Sequence, residues 1–294
     1  MEREHGEAEF FLDFWGVKVR ALCHPSDIED LKFFYGSFVS AECGTPDVSL
    51  RLRCNGWPSR GFFASTLAND RLEKSIELVD HHASVFSIGH TFQEWSGVPS
   101  PLPPFATSRL RERLAIYSGA AVRLTDGRIA AIVGPHYIGK TSLVLALCQE
   151  HGAQLVSDSI IVMDTRTQSC LTYQVPIGFR HRSLDIIIPT LDALDYRLTV
   201  SRDTGLVALV RPEAILGRHN SAGGPISKLI VLKASQNPTV EIMEIGRPNL
   251  GWFTRASNEA IETCLPETAL EIHCGTQTSP AERAAAISEG VETL

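Results

Sequence analysis

Residues 128–152, RIAAIV-GPHYIGK-TSLVLALCQEHG, constrain this chain more than any other stretch. An apolar run leads into Gly134, four residues intervene, and Gly139, Lys140 and Thr141 complete a GxxxxGK[ST] pattern. The run before the glycine suits a buried strand, and the proline-free segment after it suits a helix that Gly152 is placed to end. Strand, glycine loop and helix in that order make an anion site, because loop amides and the helix dipole face the same point. Chance would supply the pattern in roughly one chain in a hundred of this length. The loop and its entry to the helix comprise Gly134, Pro135, His136, Tyr137, Ile138, Gly139, Lys140, Thr141 and Ser142. Lys140 is expected to reach the β- and γ-phosphates of a nucleotide, and the Thr141 hydroxyl to ligate Mg²⁺. His136 and Tyr137 stand where small residues are usual. Glycine often fills the position of Tyr137, because backbone passes close to phosphate there. A tyrosine either narrows the pocket or lays its ring against the ligand.

A second metal ligand should come from the end of a neighbouring strand. Asp158 ends AQLVSD and Asp164 ends SIIVMD. Asp164 falls at an apparent hairpin turn, DTRTQ, where aspartate commonly serves local hydrogen bonds. Asp158 ends the strand that directly follows the loop's helix, and a βαβ crossover would bring it beside the loop. Asp158 is the expected partner of Thr141.

The rest of the chain reads as mixed α/β. GVKVRAL and DVSLRLR alternate apolar and charged residues as half-buried strands do, and HPSDIEDLKFFYGSF between them suits a short helix. SIELVDHHASVFSIGHTFQEW reads as two strands around a turn at DHH; Asp80, His81, His82 and His90 have no recognisable metal-ligand spacing. Four prolines within residues 96–108 stop both helix and central strand, so residues 99–107 read as a stiff linker. The division expected is an N-terminal α/β domain over 1–98 and a phosphate-loop domain over 108–294. Within the second, TSRLRERLAIYSGA reads as a helix, a strand pair turns at TDG, and SIIVMD-TRTQ-SCLTY forms a hairpin. NEAIETCL suits an amphipathic helix, followed by a polar, Ala/Glu-rich end prone to fraying.

The net charge of −7 comes without any long Lys/Arg run, which argues against holding nucleic acid or an acidic membrane by bulk charge. The longest apolar runs fall far short of the ~20 residues a membrane helix needs. The acidic, polar start MEREHGEAEF lacks the layout of a signal peptide. Seven scattered cysteines without a CxxC pair suit free thiols in a reducing compartment. A cytoplasmic protein is expected.

IVGPHYIGKTSLVLALCQEHGAQLVSDSIIVM, VPIGFRHRSLDIII and ISKLIVLK together resemble the HPr kinase family, which is related to ATP-dependent phosphoenolpyruvate carboxykinase. The resemblance spans roughly residues 115–235. It implies an α/β fold with a P-loop kinase core of that type and a smaller N-terminal α/β domain. It also implies ATP and Mg²⁺ as cofactors, and a tendency to form symmetric homo-oligomers. In the family an acidic pair binds metal and activates the acceptor hydroxyl; here it reads Asp158-Ser159, so the first carboxylate alone is kept. A basic residue near the transferred phosphate would be Arg180 or Arg182. Where members often carry a histidine before the loop's strand, this chain has Ser118. The C-terminal signature of true HPr kinases is not matched, and relatives from peptide and small-molecule biosynthesis are nearer in pattern.

The expected activity is Mg-ATP-dependent transfer of the γ-phosphoryl group to a hydroxyl, on a serine of a peptide or on a small-molecule alcohol. Lys140, Asp158 and Arg180 are the catalytic candidates: Lys140 holds phosphates, Asp158 shares the metal with Thr141 and accepts the hydroxyl proton, and Arg180 neutralises charge. The alternative is a non-catalytic nucleotide- or substrate-binding protein on the same scaffold, to which the missing carboxylate and histidine would point. A GTPase lacks its guanine motif here, and a thymidine kinase its cysteine pairs.

Overall fold

The computed structural model describes residues 4, 6–41, 44–54, 74–83, 85–89, 107–180, 182–201, 205–217, 221–237, 239–251, 254–256, 264–275 and 278–292. The architecture is mixed α/β, with several sheets and few helices. In chain order the elements are β1 (Ala8–Phe14), β2 (Val17–Cys23), α1 (Ile28–Tyr35), β3 (Val48–Cys54), β4 (Lys74–Asp80), β5 (Val85–Gly89), α2 (Ser108–Arg111), β6 (Leu114–Arg123) and β7 (Ile129–Val133). Then come α3 (Lys140–Glu150), β8 (Gln154–Ser157), β9 (Ile160–Asp164), β10 (Ser169–Leu171), β11 (Ile177–Arg180), α4 (Arg182–Ile187), β12 (Tyr196–Ser201) and β13 (Gly205–Val210). The chain continues through α5 (Pro212–Leu216), β14 (Ile226–Ser235), β15 (Glu241–Gly246), β16 (Thr254–Ala256), β17 (Thr268–Gly275) and α6 (Pro280–Glu292). No helix among the described residues is long and apolar enough to cross a membrane.

The chain forms two compact units, residues 1–112 with 178–211, and residues 113–177 with 212–294. The segment 178–211 therefore groups with the first unit, whereas the division at 108 expected from sequence kept it in the second. Most of the expected linker, residues 99–106, lies outside the described residues; Thr107 caps α2 through its hydroxyl, which accepts from the Leu110 N–H.

The first unit is built on a sheet ordered β1-β2-β3-β4-β5, and the described residues also form a three-stranded sheet ordered β11-β13-β12. β1 and β2 are joined by the two residues Trp15 and Gly16, both at positive φ, as a tight hairpin turn demands. α1 is the crossover that lets β2 and β3 run parallel. Phe14 meets Tyr35 edge-on at 5.5 Å and Phe38 at 4.6 Å, which seals one face of that sheet. Asp80 accepts from the backbone N–H groups of His82, Ala83 and Ser108, so the DHH turn is a structural junction. No cluster of three or more His, Cys, Asp or Glu able to hold a metal occurs among the described residues.

The second unit is built on a nine-stranded sheet whose main path is β10-β9-β6-β7-β14-β17-β15. Its centre, β7-β14-β17, is parallel. IAAIV is buried at all five positions because the parallel centre is covered on both faces, which is why it reads as a run and not as an alternation. Burying each larger aliphatic side chain is worth about 1.5–3 kcal/mol. α3 buries Leu143, Val144, Ala146 and Leu147 and packs beside α6. Gly152, at φ 68°, ends α3 as expected, with the Ala153 N–H donating back to Leu147.

Two expectations fail here. TSRLRERLAIYSGA is helical over Ser108–Arg111 alone; from Leu114 it becomes β6, ten residues of which nine are buried. The polar end is also no frayed tail. α6 runs Pro280–Glu292 with Ala284 and Ile287 buried. NEAIETCL falls mostly outside the described residues. Burial pushes the thiols of Cys23, Cys148 and Cys170 up to about 12, so they stay protonated and inert at neutral pH.

Candidate phosphate-binding site

β7 ends at Val133, and its register with β14 pairs Val133 with Val231. That pairing fixes where the loop begins. A Cβ on Gly134 would meet the Leu232 carbonyl oxygen at 2.9 Å, so the first motif glycine is dictated by the neighbouring strand. The loop climbs through Tyr137 at φ 65° and Gly139 at φ 96°, then enters α3 at Lys140. Tyr137 thus occupies the left-handed conformation that glycine takes without strain. The residue is 66% exposed and its ring lies 6.1 Å from the His136 ring, so it does not fill the loop. Lys140 folds back over the loop, its Nζ donating to the carbonyls of Gly134 at 2.8 Å and Pro135 at 2.7 Å. Ser142 follows in the first turn of α3.

β8 runs antiparallel to β6, and β6 antiparallel to β7. β8 therefore runs parallel to β7 with β6 between them, and its carboxyl end arrives at the glycine loop. The structure brings Asp158 to Thr141 in this way. The Thr141 hydroxyl donates to the carboxylate, 3.1 Å from Oδ1 and 3.2 Å from Oδ2. Asp158 is 5% exposed, and the adjacent Ser159 hydroxyl also donates to it at 3.2 Å. Burial raises the Asp158 pKa above the usual carboxylate range, while the hydrogen bonds from Thr141 and Ser159 and the charge of Lys140 pull the other way. Ser159 is itself at φ 67°, so two of the non-glycine residues in the left-handed region flank this one point. Ser118 sits opposite Ile160 on β6, and the next residue, Gly119, donates its N–H to the Ser159 carbonyl.

Asp164 goes elsewhere. It pairs with Arg113 at 2.6 Å and accepts from the Arg166 N–H, as a turn aspartate does. Arg180 ends β11 in the first compact unit, where its N–H donates to the Ser183 hydroxyl; it is not among the groups the second unit gathers at the loop. Arg182 opens α4 in the same unit.

Sequence reasoning missed two features. Lys233 and His273 both reach Glu271 at 2.7 Å, a charged group shared between β14 and β17. Arg283, on α6, donates to the loop carbonyl of Ile138 at 3.2 Å. A signal for its helix was present. Ser279-Pro280-Ala281-Glu282 forms a reciprocal cap in which the Ser279 N–H donates to Glu282 and the Glu282 N–H to Ser279.

Buried carboxylate and hydroxyl oxygens without soft ligands form a donor set that fits a hard cation such as Mg²⁺. No protein-family model matches the chain, and no curated protein matches it. Among solved structures it is similar to the HPr(Ser) kinase/phosphatase from Coxiella burnetii, at 15% identity and a TM-score of 0.32, over 60% of this chain and 97% of that one. A likeness that distant says nothing about the reaction.

Proposed function

We propose that the chain is a Mg-ATP-dependent kinase that transfers the γ-phosphoryl group to a hydroxyl of a peptide or a small molecule. One observation carries this: the hydroxyl of the motif threonine lies against both oxygens of a buried strand-end carboxylate, beside a lysine folded over the loop. Thr141 and Asp158 would hold the cation, which when bound screens the phosphate charges. Lys140 exchanges the carbonyls of Gly134 and Pro135 for phosphate oxygens, and the loop amides bind the rest. Asp158 takes the proton from the acceptor hydroxyl, a role that needs hydrogen-bond reach to it. Arg180 is the proposed neutraliser of charge on the transferring group.

Calorimetric titration with Mg-ADP and Mg-ATP, together with phosphorus NMR of ATP incubated with protein and a mixture of peptides and alcohols, tests the proposal. Wild type should bind and give a new phosphomonoester signal. Lys140→Ala removes a charged hydrogen-bonding group worth about 1.5–3 kcal/mol, so affinity should fall about 10- to 100-fold and turnover vanish. Binding without turnover would favour the non-catalytic reading, for which Ser159 in place of a second carboxylate is the relevant observation. Absence of binding would reject both.

A further inference from the structure

The guanidinium of Arg283 ties three segments together. Its Nε donates to the Thr278 hydroxyl at 2.9 Å, one Nη to the Gly275 carbonyl at 3.1 Å, and the other Nη to the Ile138 carbonyl at 3.2 Å. These first two acceptors, a side-chain hydroxyl in the turn before α6 and the carbonyl that ends β17, hold the arginine in place. The third belongs to the phosphate loop. The Ile138–Gly139 peptide is trans, and in a trans peptide the C=O and N–H point in opposite directions. With the Ile138 carbonyl turned toward α6, the Gly139 N–H is turned away from it.

That orientation needs holding. Gly139 stands at φ 96°, and glycine accepts either sign of φ at little cost, so a flip of this peptide has no side-chain barrier of its own. A Cβ at Gly139 would also meet Arg283 Nη1 at 3.0 Å. The second motif glycine is therefore shaped by the arginine as well as by its own dihedral.

We propose that Arg283 is the positioning residue of the phosphate loop: it keeps the Gly139 N–H directed at the bound phosphate and so sets the loop's affinity for nucleotide. This rests on the reading of the loop as a nucleotide site. A loop carbonyl facing the anion in place of an N–H would repel it, so loss of the strap should affect binding more than folding.

The test uses the full chain, with Mg-ADP binding measured well below the thermal midpoint of each variant. Arg283→Ala should weaken binding at least 10-fold, Arg283→Lys should recover part of the loss by keeping one donor, and Thr278→Val should weaken binding less than Arg283→Ala. A spectroscopic readout separates orientation from stability. Labelling with carbonyl-¹³C isoleucine and ¹⁵N glycine selects the amides of Gly89, Gly139, Gly178 and Gly246, the four Ile-Gly peptides. One of these should shift on adding Mg-ADP to wild type. In Arg283→Ala that resonance should already be displaced without nucleotide and should respond weakly, while the other three stay put. If wild type fails to bind Mg-ADP, the nucleotide reading itself falls. If wild type binds and Arg283→Ala binds as tightly with an unmoved glycine amide, this inference alone is overturned. Should Arg283→Ala not fold, the affinity and amide shift of Thr278→Val decide; unchanged values for both would sink the proposal.

Discussion

Asp158 stands where the needs of folding and of chemistry conflict. A carboxylate 5% exposed favours its proton in the folded state, since burial raises its pKa above the unfolded value. Its contribution to stability is present at low pH and is lost as pH rises through that raised value. Asp158→Asn should therefore raise the thermal midpoint by a few °C at pH 8 and by nothing measurable at pH 4, while abolishing phosphoryl transfer. A midpoint that falls at pH 8 would contradict this. Tyr137 poses a smaller problem of backbone strain. Tyr137→Gly relieves about 1–2 kcal/mol of left-handed strain and loses about 0.5–1 kcal/mol to chain entropy, so chemical denaturation should show a gain of no more than about 1.5 kcal/mol. Mg-ADP affinity should stay within about twofold, because the exposed ring does not line the loop. The meeting of Thr141 with Asp158 was legible because the motif and the strand after its helix lie at fixed spacings. Arg283 was not, since it is distant in sequence from the loop and its role depends on how α6 meets α3.

At the scale of elements, hydrophobic pattern identified β2 to β5 and β7 to β10, and took the first half of β6 for helix. A strand buried nearly throughout has no period-two alternation, and Leu110, Leu114 and Tyr117 fall at helical spacing, so LRERLAIYSGA imitates a helix. α6 misled in the opposite way. Its alanines and glutamates resemble a solvated tail, yet Ser279 and Glu282 form a cap that holds its first turn. Because Ile287 is 1% exposed beside α3, Ile287→Ala should cost about 2–5 kcal/mol in urea or guanidinium unfolding. An effect under about 1 kcal/mol would mean that α6 contributes little to the unit's core.

Whole-molecule organisation was the least legible, because nothing in a linear pattern marks residues 178–211 as an excursion from one unit to the other. The position of Arg180 in that excursion makes its role testable by hydrogen exchange. Mg-ADP should protect amides over 134–142 and 157–159. Further protection over 177–183 only with a γ-phosphate analogue would support Arg180 as a neutraliser of the transferring group, and its absence with both ligands would remove Arg180 from the reaction.

The same discontinuity has a consequence for synthesis. During translation Ile129–Val133 emerges early, but its parallel neighbour Ile226–Ser235 and the next strand, Thr268–Gly275, follow only after the excursion has been made. Pairings of such sequence separation close slowly. On the ribosome the unit that carries the loop waits with an apolar strand uncovered while the other matures, so the nascent chain should depend on chaperones most strongly between residues 133 and 226.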